Sequence, residues 1–145
     1  MSTKSSNSTD TLLAANRAES WLTAERGESW RRGKRLRGEV FGPATEMMLD
    51  LANMRVGDRV LEVAAGTGDL AIMIARCVGP NGYVLATDIS TSMLNVAAEA
   101  VRNAGLTNVE TRVMDAENIE LAQTRSTRSY AVWVSCCFLI RSKRL

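Results

Sequence analysis

Three carboxylates stand at nearly equal intervals along the middle of the chain, with Glu62, Asp88 and Asp115 separated by 26 and 27 residues. A run of small residues, Ala64-Ala65-Gly66-Thr67-Gly68, follows the first of them. Carboxylates accept hydrogen bonds from hydroxyl, amino and ammonium groups, and several placed together attract a cation. Small residues let a ligand come close to the backbone, and a helix opening after them offers free N–H groups. This set is therefore suited to binding a polar, partly cationic small molecule. The chain contains no His. That removes Ser-His and Cys-His catalysis and His-based acid–base chemistry, and it argues against a zinc site. No metal ligand set is expected.

These residues need a scaffold that brings them together. Gly57-Asp58 signals a turn, and Arg59 to Val63 reads as a strand. Gly68 to Cys77 is apolar at helical spacing, and Gly79-Pro80-Asn81-Gly82 is a second turn. Tyr83 to Thr87 reads as a strand, Ser92 to Ala104 as a helix ended by Gly105, and Val109 to Val113 as a third strand. Strand, helix, strand, helix, strand at this spacing predicts an α/β fold, with parallel strands and right-handed crossovers. Each carboxylate sits at or near a strand end, so the fold delivers all three to the carboxyl edge of the sheet, where ligands bind.

The flanking regions are less informative. Residues 1–10 are Ser/Thr/Asn-rich and are expected to be disordered. Residues 11–54 are read as N-terminal helices, one over 11–37 and one over Ala44 to Asn53, separated by a break at Gly42-Pro43. Met47, Met48 and Leu51 form the apolar side of the second. The cluster Arg31, Arg32, Lys34, Arg35 and Arg37 reads as a solvated helix face, with a contact to a phosphate or an acidic partner as the alternative. The longest apolar run, Tyr130 to Ile140, is too short to span a bilayer, and no secretory signal opens the chain. Three unspaced cysteines, Cys77, Cys136 and Cys137, fit a reducing compartment, so a cytoplasmic location is expected.

Two ligand classes compete for the site. A dinucleotide asks for Gly-x-Gly-x-x-Ala and an acidic residue about 20 positions later, which Gly66, Gly68, Ala71 and Asp88 supply. Glu62 separates the two: a carboxylate just before the glycines repels a pyrophosphate and attracts a sulfonium or an α-ammonium. In this context Val60-Leu61-Glu62-Val63-Ala64-Ala65-Gly66-Thr67-Gly68 resembles the first motif of class I S-adenosylmethionine-dependent methyltransferases. Val84-Leu85-Ala86-Thr87-Asp88-Ile89-Ser90 with Met93-Leu94 resembles the second. Gly105-Leu106-Thr107-Asn108-Val109-Glu110 with Met114-Asp115-Ala116-Glu117 resembles the third. The nearest pattern is the ubiquinone/menaquinone-biosynthesis type, over roughly residues 40–120, with Ala64 standing where many members have Gly.

The resemblance implies a Rossmann-like parallel sheet with flanking helices, the N-terminal half of a class I methyltransferase domain, over residues 55–120. It implies S-adenosylmethionine as cofactor and a small-molecule methyl acceptor, with nucleic acid not expected as a partner. It further implies that Gly66 and Gly68 pass under the methionine part of the cofactor beside Ala64. Glu62 would organise the amino-acid end, and Asp88 would accept the ribose hydroxyls. Ile89 would pack on the adenine, Asp115 and the Ala116 backbone would read its edge, and Met93 would lie nearby. The plainer readings are a helix cap for Asp88, a turn residue for Asp115 and core packing for Met93. No catalytic residue is identified, because an activated sulfonium asks mainly for alignment.

Members of this family continue with a fourth strand close to Phe-Asp-Ala-Val, then a substrate half. Here residues 121–145 read otherwise. Residues 1–124 carry 13 basic and 16 acidic residues, net −3, whereas 125–145 carry five basic residues and no acid. Joining the last base of each codon to the first two of the next forces Gly at Trp133-Val134 and Leu at Cys136-Cys137. From Arg125 onward the shifted frame permits Phe-Asp-Ala-Val-Val-Cys-Arg-Leu-Gly-Leu-Met-Leu-Phe-Pro-Asp, which resembles the missing strand. The tail is thus read as out of frame. On that reading the substrate half is largely absent and catalysis is weak or lost, leaving a non-catalytic cofactor-binding or interaction fragment as the alternative function and a dehydrogenase fragment as a third.

Overall fold

The computed structural model describes residues 24–117, 119, 130–134 and 138–141. The segments 1–23, 121–129 and 142–145, which include the N-terminus expected to be disordered, lie outside the described residues. Helices α1 (Ala24–Arg32) and α2 (Lys34–Ala52) precede strand β1 (Arg59–Val63). Then follow α3 (Asp69–Val78), β2 (Tyr83–Asp88), α4 (Thr91–Asn103) and β3 (Val109–Val113). Two further strands, β4 (Tyr130–Val134) and β5 (Phe138–Arg141), close the described chain.

The sheet order is β3-β2-β1-β4-β5. β1 pairs in parallel with β2 and with β4, β2 pairs in parallel with β3, and β5 is antiparallel to β4. The expected α/β architecture is therefore present, and the Tyr130–Val134 segment occupies the slot beside β1. β1 and β2 are buried along most of their length on both faces, as the near-continuous apolar runs of central parallel strands require. Val60, Val84 and Ala86 pack on one face against Leu70, Ala71, Ile74 and Val78, while Leu61, Val63 and Leu85 pack on the other. The Asn108 side-chain amide closes the far end of α3 by donating to Ala75 O at 3.1 Å and Gly79 O at 2.9 Å, so the helix's last carbonyls find a partner.

The helical entry departs from expectation in three respects. The helix expected over 11–37 is interrupted at Gly33, so its described part ends as α1 at Arg32 and α2 begins at Lys34. α2 runs unbroken from Lys34 to Ala52 with Pro43 inside it. Proline removes one backbone donor, and the helix survives because its C-terminal turn is anchored by Leu49 and Ala52 in the core, with Met48 against it. Met47 and Leu51 do not join that core; both are exposed, because positions 48, 49 and 52 form the side that packs into it. Arg31, Arg32 and Arg35 are exposed as well, with Arg31 near Glu28 and Glu99 and Arg35 paired with Glu39. This is a solvated face.

Candidate functional site

The register of the sheet sets the site. Val63 lies beside Thr87, and Asp88 beside Val113. The Met114 N–H then donates to Asp88 O at 3.0 Å, so the carboxyl ends of β1, β2 and β3 form one edge carrying Glu62, Asp88 and Asp115. The strand order reverses between β1 and β4, and such a switch point is where open parallel sheets leave a crevice for ligands.

The turn after β1 is held from β2. The Ala65 N–H donates to Thr87 O at 2.9 Å, the Thr87 hydroxyl donates to Glu62 O at 2.8 Å, and the Gly66 N–H donates to the Asp88 Oδ2 at 2.9 Å. The other carboxylate oxygen of Asp88 accepts from the Ser90 N–H at 2.9 Å. The cap of α4 is Ser90, whose hydroxyl accepts from the Met93 N–H, so Asp88 is not a helix cap. It ties the glycine turn to the entry of α4. Each carboxylate oxygen keeps a second lone pair for further donors.

Backbone conformation explains the small residues. Gly66 and Gly68 have φ of +56° and +78°. A Cβ on Gly68 would come within 2.8 Å of the Ala97 Cβ, so this glycine lets α4 lie against the turn. Ala64 also adopts a left-handed φ of +59°, which costs a non-glycine residue roughly 1–2 kcal/mol. Ala64→Gly is therefore expected to raise stability by about 0.5–1 kcal/mol once the extra freedom of the unfolded chain is counted, read as a higher urea midpoint with unchanged slope.

Glu62 is the unusual group. Its side chain is fully buried, and neither carboxylate oxygen has a hydrogen-bond partner. Burial, reinforced by the Asp69 and Asp88 carboxylates, pushes its pKa up to about 8. A buried carboxyl without a partner is costly, and one flanked by two further acids invites a cation. The residues present thus fit a ligand that brings an ammonium and a sulfonium to this turn and hydroxyl groups to Asp88.

The remaining expected residues fall in different places. Ile89 is exposed at the same edge. Asp115 and Ala116 are exposed just beyond β3, and the Asp115 Oδ1 accepts from the Glu117 N–H at 2.9 Å, a turn contact. Met93 is buried in the face of α4, which makes it a core residue. One neighbour of the turn was not anticipated. The Trp30 indole Nε1 lies 3.6 Å from where a Cβ on Gly66 would stand, brought there by α1 leaning on α4 with Arg31 near Glu99 at 3.8 Å. Its one signal in the sequence was an aromatic residue set among the charges of the helix expected over 11–37. Among the described residues no group of three or more metal-ligating side chains occurs, and no helix is long and apolar enough to cross a membrane.

Comparison with known proteins agrees with this geometry. The chain is 43% identical over 72 residues to the ubiquinone/menaquinone biosynthesis C-methyltransferase UbiE of Ectopseudomonas oleovorans, covering 49% of this chain and 42% of that protein. It is equally similar to the Pseudomonas putida enzyme of the same name, of which it covers 28%. The chain thus spans less than half the length of these curated relatives. Among solved structures, a SAM dependent methyltransferase from Aquifex aeolicus superposes with a TM-score of 0.59 at 30% identity, over 72% of this chain and 55% of that one. A protein-L-isoaspartate O-methyltransferase superposes with a TM-score of 0.53 at 25% identity, over 63% and 28%. The sequence profile of the ubiE/COQ5 methyltransferase family matches residues 44–141, and the chain belongs to that family.

Proposed function

We propose that the chain binds S-adenosylmethionine at the carboxyl edge of β1, β2 and β3 and serves methyl transfer to a small-molecule acceptor. The observation that carries this reading is Glu62, a buried carboxyl without a partner at the glycine turn. Residues 55–120 supply the cofactor half, and helices α1 and α2 precede it. When bound, the cofactor supplies an activated methyl group. Glu62, with Asp69 and Asp88 near it, balances the cationic amino-acid end. Asp88 accepts the ribose hydroxyls on its remaining lone pairs, while its bonds to Gly66 and Ser90 keep the turn in shape. Ile89 offers an apolar surface to the adenine, and Asp115 with the Ala116 backbone flanks its edge. The mechanism is alignment of acceptor and methyl group, and no general base is assigned. A cytoplasmic setting suits the exposed free thiol of Cys77.

Calorimetric titration tests the reading. The chain is expected to bind S-adenosylmethionine and S-adenosylhomocysteine and to ignore NAD, because a pyrophosphate would face Glu62 and its acidic neighbours. A folded chain that binds NAD, or neither sulfur nucleoside, would sink it.

The tail beyond residue 121 is proposed to be read out of frame, on the codon arithmetic and its acid-free composition. Sequencing the coding DNA decides this: an early stop or unrelated residues in the shifted frame ends the idea.

A further inference from the structure

Helix α2 carries apolar residues on two sides, and only one is used. Positions 48, 49 and 52 serve the core. On the other side Leu36, Val40, Met47 and Leu51 are 64%, 59%, 65% and 76% exposed, with Pro43 and Ala44 exposed between them. At about 100° per residue these six positions fall within a sector roughly 100° wide, one continuous stripe.

The stripe is arranged symmetrically about a point between Pro43 and Ala44. Leu36 and Leu51 lie equally far from that point, and so do Val40 and Met47. The residues at the centre, Gly42, Pro43 and Ala44, are small, which suits the close approach of two crossing helices. Charge follows the same division. Residues 31–37 hold five basic residues and no acid, whereas 38–52 hold Glu39, Glu46 and Asp50 and no base. A surface that matches itself after a half-turn is what a two-fold interface requires.

We propose that α2 is the contact between two copies of this chain, packed antiparallel about the Pro43–Ala44 point. Leu36 then meets the partner's Leu51 and Val40 meets the partner's Met47. The basic start of each helix lies over the acidic end of the other. Two helices of this length bury on the order of 1,000 Å², the lower limit of specific interfaces, which places the dimer among weak, concentration-dependent contacts.

Sedimentation equilibrium of the full 145-residue chain at about 100 µM, where such an interface is occupied, is expected to show a dimer. Val40→Glu/Met47→Glu is expected to raise the dissociation constant at least a hundredfold, while its circular dichroism, and its melting at concentrations where both proteins are monomeric, match the parent. Register is read separately, with Cys77, Cys136 and Cys137 replaced by Ser. Leu36→Cys mixed with Leu51→Cys should cross-link on oxidation, whereas Leu36→Cys alone should not, because antiparallel packing holds the two copies of position 36 about 22 Å apart along the axis. A monomeric parent chain overturns the proposal, and one that floats with phosphatidylglycerol vesicles assigns the stripe to a bilayer instead. A dimer untouched by the double substitution, or one cross-linked through position 36 alone, also overturns it.

Discussion

Glu62→Gln is expected to abolish the pH dependence of both folding and cofactor affinity. In the parent chain the folded-state pKa of Glu62 is about 8, raised from 4.5. A carboxyl whose pKa rises on folding stabilises the folded state fully below the unfolded value, and that contribution fades as pH climbs through the folded value. The window is therefore pH 4.5 to 8, and the loss across it is on the order of 4 kcal/mol, a large part of an ordinary domain's stability. Urea denaturation at pH 5, 6.5 and 8 should show the parent losing stability and Glu62→Gln holding level. Cofactor binding runs the other way. An ammonium beside Glu62 favours the carboxylate, so binding below pH 8 expels a proton and affinity rises by up to about tenfold per pH unit. Calorimetry in buffers of different ionisation enthalpy should detect that proton in the parent and none in Glu62→Gln, whose affinity is lower at pH 8 and flat below it. Equal pH slopes in the two proteins would show that Glu62 does not face the cationic end.

Most of the scaffold was legible because its signals are local. Arg59–Val63 and Val109–Val113 emerge with the bounds that their β-branched runs suggested, and β2 is longer by Asp88 alone. The α3 and α4 bounds shift by one residue at either end, as glycines mark turns more sharply than they mark helix caps. Convergence of the three carboxylates followed from one rule about parallel sheets. What escaped the sequence depends on tertiary contacts. Pro43 does not break α2, because the buried Leu49 and Ala52 anchor the helix beyond it. Met47 and Leu51 share a stripe with Leu36 rather than with the core, and helical spacing alone cannot say which of two apolar sides faces inward. Trp30 reaches Gly66 only through the packing of α1 on α4. The absence of any partner for Glu62 likewise requires every neighbour to be known.

Asp88 serves the turn and, on the proposed reading, the ribose, and substitution can separate these roles. Asp88→Ala leaves the Gly66 and Ser90 N–H groups without their carboxylate acceptor. Hydrogen bonds to a charged group are worth about 1.5–3 kcal/mol each, and partial exposure of Asp88 allows solvent to replace some of that, so a fall of about 2–3 kcal/mol in folding stability is expected. Cofactor affinity should fall at least about a hundredfold, since two hydroxyl donors lose a charged acceptor and the turn loses its tether. A double-mutant cycle distinguishes the causes. With S-adenosylhomocysteine and its 2′-deoxy analogue, the parent should lose affinity on removal of the hydroxyl, and Asp88→Ala should lose little more. If both proteins lose the same factor, Asp88 does not touch the ribose, and its contribution to binding is confined to the shape of the turn. Asp88→Asn sharpens the test. Its single carbonyl oxygen can accept from only one of the two N–H groups, and its NH2 confronts the other. It should therefore be less stable than the parent while still offering the ribose one acceptor, giving an affinity between parent and Asp88→Ala.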